Sequence, residues 1–548
     1  MPTDDRVQFH TQRLETLRAD RGNWEAQWEE AAERLIPAHK SSFQGRGMNA
    51  AYTPGQKNTE KMFDATAALA LSRFASVMES LATPQGQQWH RLVPTEDGLR
   101  KNRQVRLFMD EVNRLLFRYR YRPKANFVGQ MQKTYNGYGA YGNGFLFADA
   151  TPDEPGIRYK NLHLGECYVL ENHQGIVDTL YRVFFLKPRE IIQQFGEDNV
   201  PESIKKAASQ ANQLNQPFEI IHAIFPREES ERRRRKDARG MPFASLHILL
   251  QENAILGESG YNSFPASLAR YTQYTNEVYG RGPAQMVLPA IKVLNEEKKT
   301  VLKQGHRIVD PVLLAHDDGA VGTFSLRPGA INAGGVNSQG RPLVQPLPTG
   351  NLVAGQELMN DEREVINDAF LITLFQILVE TPSRMTATEV LERTREKGML
   401  IAPTAGRLQA EFLGPLIERE VDLLEQQGLL PPIPPALAEA GGGFTVEYDA
   451  PMSRMARAEN AAGFMRSLSM AIEFFNATQD PAPLDWFNFD EAMPAIQDIN
   501  GAPVAWTSTP DEVAEKRQQR AQAAEQQQAI DAAPAMASAM KTASDIQE

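Results

Sequence analysis

The stretch from Tyr279 to Leu371 constrains the chain most, because it sets two helix-length segments on either side of one that cannot continue a helix. After Glu277-Val278-Tyr279-Gly280-Arg281-Gly282-Pro283, the apolar residues Val287, Ile291, Leu294 and Val301 recur at helical spacing over about 284–304. The opposite face carries Lys292, Asn295, Glu296, Lys299 and Lys303. A Gly/Pro-dense insert, His306 to Gly350, then breaks the periodicity. A second amphipathic segment over about 352–371 puts Leu358, Val365, Ile366 and Phe370 on one side. At 1.5 Å per residue, about 20 residues make a helix roughly 30 Å long. Polar faces and moderate stripes exclude both helices from the centre of a globular core. Two arrangements remain: a hairpin packed on its own domain, or a pair standing beside copies of itself as the wall of a ring, with the insert projecting from one end.

A chain of 548 residues exceeds one ordinary core and predicts about two to four domains or subdomains. The single cysteine, Cys167, excludes an internal disulfide framework and reads as a small buried hydrophobe, which fits assembly in a reducing cytoplasm. The N-terminus lacks the apolar core of a secretory signal. No membrane span is expected, since no run of about 18 apolar residues occurs and the uncharged run Ala369 to Val379 is too short.

Taken in order, residues 6–36 predict a helix stopped by Pro37, and 58–82 a stronger one ended by Thr83-Pro84-Gln85-Gly86. Helices over 103–119 and 125–136 complete a helical layer. Gly137 to Gly144 then reads as a tight connection into strand, and strands are expected at 166–171, 177–186, 218–225 and 243–251. The run Arg232-Arg233-Arg234-Arg235-Lys236 is either a nucleic-acid patch or a solvated hairpin tip; the acids before it and the lack of interleaved aromatics favour the tip. Thr386-Ala387-Thr388-Glu389 is a capping box for a helix that breaks at Pro403 to Gly406 and runs on to Gly428. Pro431 to Pro435 and Gly441 to Gly443 mark a boundary before a strand at 444–448, and the Ala/Gln-rich chain beyond Thr509 predicts a peripheral helix that frays.

Catalytic patterns are missing. No G-x-x-x-x-G-K-[ST] is present, so the chain is not expected to be a nucleotide-driven motor. No H-E-x-x-H occurs, the nine histidines lack ligand spacing, and no cofactor, metal or catalytic residue is expected.

Short motifs along the chain resemble one family. Phe63-Asp64-Ala65-Thr66, Leu81-Ala82-Thr83-Pro84, Trp89, Tyr168, Val177-Asp178, Tyr181-Arg182 and Phe195-Gly196 come first. Glu258-Ser259-Gly260-Tyr261, Phe264-Pro265, Arg270, Tyr279-Gly280-Arg281-Gly282-Pro283 and Leu288-Pro289-Ala290-Ile291-Lys292-Val293-Leu294-Asn295 follow in the expected order. Over most of residues 10–430 the chain is similar to the head-to-tail connecting (portal) proteins of short-tailed phages. The resemblance implies an α+β, mostly helical subunit: an α/β wing (1–283), a two-helix stem (284–305 and 351–371), a small clip (306–350), a channel loop (372–385), a long helix returning to the wing (386–450), and a helical crown with a flexible tail (451–548).

It also implies a ring of about twelve copies at one capsid vertex of the virion, assembled in the host cytoplasm. Double-stranded DNA in transit, the terminase motor, a tail adaptor at the clip, and capsid and scaffolding proteins are the implied partners; internal core or ejection proteins at the crown are a further one. The formal charge of −11 argues against a tight grip on nucleic acid but is compatible with a conduit, where transit favours few attractive contacts. By position, Thr373, Phe375, Gln376, Glu380 and Ser383 belong to the channel loop, although their apolar neighbours also suit a buried connection. Lys299, Lys303, Arg307 and Arg384 are the candidate DNA contacts. The alternative is a nucleic-acid-processing enzyme with its site in the 144–251 region.

Overall fold

The computed structural model describes residues 5–43, 55, 57–152, 154–229, 237–315, 324–348, 352–372, 403–480, 482–499, 508 and 512–523. They form two compact units, one up to Ala456 and one from Arg457 on. The class is α+β and mostly helical.

In the first unit the helical layer contains α1 (Asp5–Asp20), α2 (Gly22–Leu35), α3 (Thr66–Ala82), α4 (Arg103–Arg120) and α5 (Phe127–Tyr141). The helix expected over 6–36 is therefore two. They part at Arg21, whose fully buried guanidinium donates to the carbonyls of Leu164 (3.1 Å) and Gly165 (3.1 Å) and to Glu25 (2.7 Å). The helix expected from 58 begins only at Thr66, because Asp64 accepts from the Thr66 N–H (2.9 Å) and fixes the start there.

Strands number twelve among the described residues. β1 (His90–Pro94) pairs with β12 (Phe444–Tyr448), so the chain after the proline-rich stretch returns to the first unit. β2 (Asn143–Ala150) lies between β3 (Ile157–Leu162) and β9 (Ala266–Arg270). A five-stranded antiparallel meander follows: β4 (Cys167–Glu171), β5 (Val177–Leu186), β6 (Phe218–Pro226), β7 (Phe243–Leu249) and β8 (Ala254–Tyr261). Val7 and Leu14 of α1 cover one face against Tyr181, Val183 and Ile221. The other face packs on α6 (Pro188–Phe195) and α7 (Glu202–Ser209) through Ile191, Ile204 and Ile220. With both faces covered, β6 is apolar along nearly its whole length, as Phe218, Ile220, Ile221, Ala223 and Ile224 show. Four of these strands are not among those expected: β1, β3, β8 and β9 are short or carry Gly, Ser, Arg and Lys, which weakens the period-two signal.

Next come α8 (Pro283–Met286), α9 (Leu288–Val309), a three-residue hairpin of β10 (Leu313–Ala315) and β11 (Val344–Pro346), and α10 (Leu352–Ala369). Residues 403–408 are helical and lead through a π-turn, Gln409–Leu413, into α11 (Gly414–Gln426). The irregularity falls here rather than at 403–406, next to Pro415, which has no N–H for an α-type bond. α12 (Pro435–Glu439) precedes β12. The capping box expected at 386–389 lies outside the described residues.

The second unit contains most of α13 (Pro451–Thr478) and α14 (Phe489–Ile499). Phe464 meets Phe487 edge-on at 5.5 Å, and Arg517 pairs with the Asp490 carboxylate. No described helix is long and apolar enough to cross a membrane.

Candidate functional site at the helix pair

The pair α9 and α10 is held at its base by backbone contacts that only glycine permits. Gly142, at φ +72°, ends α5, and a Cβ there would lie 2.4 Å from the Arg281 carbonyl carbon and the Gly282 nitrogen. At Gly282 a Cβ would approach the Gly142 nitrogen to 2.6 Å. The two strips of main chain are thus stacked, and Asn143 locks them: its side chain donates to the Gly280 carbonyl (2.9 Å) and accepts from the Gly280 N–H (2.8 Å).

Either side of these glycines, larger groups anchor the same loop. Tyr279 sets its ring edge-on to Trp28 at 5.2 Å, and its hydroxyl oxygen accepts from the Val169 N–H. Arg281 grips both oxygens of Glu277 (2.6 and 3.0 Å) with its guanidinium 4.7 Å from the Trp24 ring. Arg270, almost wholly buried, bonds Glu411 (2.8 Å) beside the π-turn, the Val278 carbonyl (3.1 Å), and Glu171 on β4. Pro283 then starts α8 at a position where a missing N–H costs nothing.

A second node joins both long helices to the start of α3. Asn295, buried on α9, accepts from the N–H groups of Phe63 (2.7 Å) and Asp64 (3.1 Å) and donates back to Ile291 (2.8 Å). Arg363 of α10 donates to Asp64 at 2.7 Å. Burial works to raise the Asp64 carboxyl, but the bonds from Thr66 and Arg363 outweigh it and hold the group below the usual carboxylate range. Asp64 therefore caps one helix and pins another. Its part, and those of Asn143 and Arg363, were not singled out from the sequence, although Phe63-Asp64 stands among the motifs quoted there; Asn295, expected on the polar face of its helix, is buried because its amide serves these backbone groups.

Above the base the helices touch closely: a Cβ on Gly355 would fall 2.9 Å from a Val301 methyl. Between them Glu297 has one carboxylate oxygen buried without a hydrogen-bond partner, and its carboxyl is pushed up by burial and by the charges of Glu362 and Asp361. The helices differ in charge. α9 holds five cations (Lys292, Lys298, Lys299, Lys303, Arg307) and two acids, whereas α10 holds five acids (Glu357, Asp361, Glu362, Glu364, Asp368) and one cation. Val293, Leu302, Val353, Leu358 and Val365 are exposed apolar groups on the same pair.

Of the candidate channel cations, Lys299 lies 3.3 Å from Glu296 and 5.6 Å from the centre of the Phe63 ring. Lys303 and Arg307 are exposed and make no ion pair among the described residues. Arg384, Thr373, Phe375, Gln376, Glu380 and Ser383 lie outside those residues, as do Arg232 to Lys236. In the 144–251 region two histidines do converge: His222 stacks on His247 at 3.9 Å. His222 is buried and His247 half-buried in the meander, its ring edge-on to Phe195 at 5.0 Å. Among the described residues no three or more His, Cys, Asp or Glu are placed to hold a metal.

Over 545 residues the chain is 27% identical to the portal protein of Salmonella phage epsilon15, covering 97% of this chain and 94% of that one. It is 28% identical over 541 residues to the probable portal protein of Bordetella phage BPP-1, covering 97% and 93%. A chain of the virion of a native gene transfer agent particle aligns with 73% of this chain and 85% of its own, at 14% identity and a TM-score of 0.35, too low to carry an argument. The model of the bacteriophage head to tail connecting proteins matches residues 8–506, and the chain belongs to that family.

Proposed function

We propose that this protein is the subunit of a portal: a ring at one capsid vertex through which double-stranded DNA is packed and released. The observation that carries the proposal is the full-length similarity to phage portal proteins, joined to a helix pair whose base is rigidly clasped and whose flanks are exposed. The role is structural. In this reading α9 and α10 form the stem, residues 306–350 the clip, 1–283 the wing and 451–548 the crown. The stems of about twelve copies set the bore, and 372–385 would supply the loop toward the DNA.

The work is geometric. A clasp of stacked glycines and a shared Asp64 hold the two stem helices at a fixed angle to the wing, so that identical copies repeat one angle and close. DNA threading belongs to a separate ATP-driven motor, and a tail adaptor takes the clip once packing ends; capsid and scaffolding proteins surround the wing. His222, buried and bonded to Ser245 at 2.8 Å, with His247 stacked on it, serves the packing of the meander, which speaks against the enzyme alternative.

Negative-stain electron microscopy with a solution mass tests the reading. Rings with a central hole and a mass near 12 × 61.2 = 734.4 kDa are expected. A monomer or dimer at every salt and protein concentration, with or without scaffolding protein, would sink it.

A further inference from the structure

The charge difference between α9 and α10 has a direction. Counting 100° per residue, Lys292, Lys299 and Lys303 fall within about 40° of one another and about 160–200° around the helix from Val301. Val301 is the residue that touches Gly355. The cations therefore line the edge of α9 facing away from α10. On α10, Glu357 and Glu364 lie about 180–200° around from Gly355, with Asp361 and Asp368 beside them. All four acids are exposed and make no ion pair among the described residues. The pair thus has a basic edge and an acidic edge on opposite sides.

The heights also agree. Val301 lies opposite Gly355, and Glu297 beside Asp361 and Glu362, which sets the register of the two antiparallel helices. In that register Lys299 and Lys303 both fall within about a turn of the level of Glu357, and Lys299 within about a turn of Asp361, whereas Lys292 already pairs with Glu30 of α2 at 2.6 Å. A rotation about an axis running along the pair leaves heights unchanged. It would bring the basic edge of one copy against the acidic edge of the next.

We propose that the stem contact between copies of this chain is a head-to-tail ion-pair seam, the Lys299–Lys303 edge of α9 docking on the Glu357–Asp361 edge of α10 in the neighbouring copy. The proposal rests on the portal reading and deepens it. A head-to-tail contact uses two different patches, so opposite charges can be segregated onto them, which a self-complementary two-fold contact would not favour. It also gives Lys303 a carboxylate partner in place of DNA phosphates, and Lys299 a second one besides Glu296, in keeping with a conduit that binds its cargo weakly.

Two charge-reversed chains test this: Lys299→Glu with Lys303→Glu, which is acidic on both edges, and Glu357→Lys with Asp361→Lys, which is basic on both. Thermal unfolding of each is compared with the parent to show that both fold. Each alone should need roughly tenfold more protein to reach half-assembly than the parent at low salt, a gap that narrows as salt rises. An equimolar mixture should assemble as the parent does, in alternating rings, because each acidic edge then meets a basic one. Parent rings with unchanged assembly of both variants would overturn the seam while leaving the portal reading intact. So would loss of DNA retention by the Lys299→Glu, Lys303→Glu ring with its assembly untouched. Absence of rings from the parent itself would instead remove the portal reading.

Discussion

Arg120 and Glu420, 300 residues apart, meet with both side chains at zero exposure. The Arg120 Nε donates at 3.0 Å, the Tyr159 hydroxyl donates to the same carboxylate at 2.5 Å, and the guanidinium lies 4.6 Å from the Trp89 ring. Desolvation of the two charges is largely offset while both are present, but removing one leaves the other buried and uncompensated. Glu420→Ala is therefore expected to lower unfolding free energy by about 3–5 kcal/mol, and the Arg120→Met, Glu420→Leu double variant by much less, measured by urea denaturation. The pair His222 and His247 gives a pH dependence. Burial first, then Arg182 and for His222 its neighbour His247, hold both imidazoles below their ordinary range, His247 at about 4. The unfolded chain takes up these protons first, so the stability they contribute is complete above about pH 6.5 and drains away as pH falls toward 4. His247→Gln should flatten the stability profile by up to about 1.4 kcal/mol per pH unit within that window and change nothing above it. Neither pair was legible in the sequence. Nothing local marks position 120 as the partner of 420, and a histidine in an apolar strand looks the same whether or not a second one lies across the ladder.

At the scale of elements, the sequence spoke through periodicity and through glycine. The two long helices were readable from Ile291, Leu294, Val301 and Ile366, and the observed bounds, Leu288–Val309 and Leu352–Ala369, stay within a turn or so of the expected ones. β5 and β6 were readable because both are long and apolar, whereas β9, with Ser267 and Arg270 buried in it, was not. Gly137 to Gly144 was expected to be a tight connection. Most of it is instead the last turn of α5, where Gly139 lets α3 come close enough that a Cβ would sit 2.7 Å from Leu71. Only Gly142 makes the turn. Because the groups facing it are backbone that cannot step aside, Gly142→Ala is expected to cost more than about 1–3 kcal/mol and to lower the melting temperature more than Gly139→Ala, whose neighbours are side chains able to shift. A thermal melt of both variants decides it; equal losses would mean that the stacking of Gly142 on Gly282 is not what fixes the base of the helix pair.

At the scale of the whole molecule, the insert between α9 and α10 is too small to be stable alone. Among its described residues, strand pairing is limited to two three-residue strands and the isolated bridge of Val336 with Pro342, and Leu326, Ile331 and Val336 are exposed, Ile331 at 97%. Short two-stranded pairings are marginal in water. What order the insert has comes from local bonds: Asn332 exchanges hydrogen bonds with the Ser325 backbone, and Asn337 accepts from the Gln339 and Arg341 N–H groups. Such bonds hold turns but bury little apolar surface, so the insert should open readily in a lone subunit and be closed by neighbouring copies that cover those side chains. Phe324 and Leu326 are exposed in it and are chymotrypsin sites, neither followed by proline. Cleavage there is expected to be at least about tenfold slower in assembled rings than in unassembled chain under matched conditions, equivalent to an opening penalty raised by ~1.4 kcal/mol. Cleavage at Leu107, exposed on α4, whose other face is buried, gives the internal control and should be slow in both. Equal rates at Leu326 in rings and in single chains would mean that ring closure leaves the insert uncovered, and that its exposed apolar groups await a different partner.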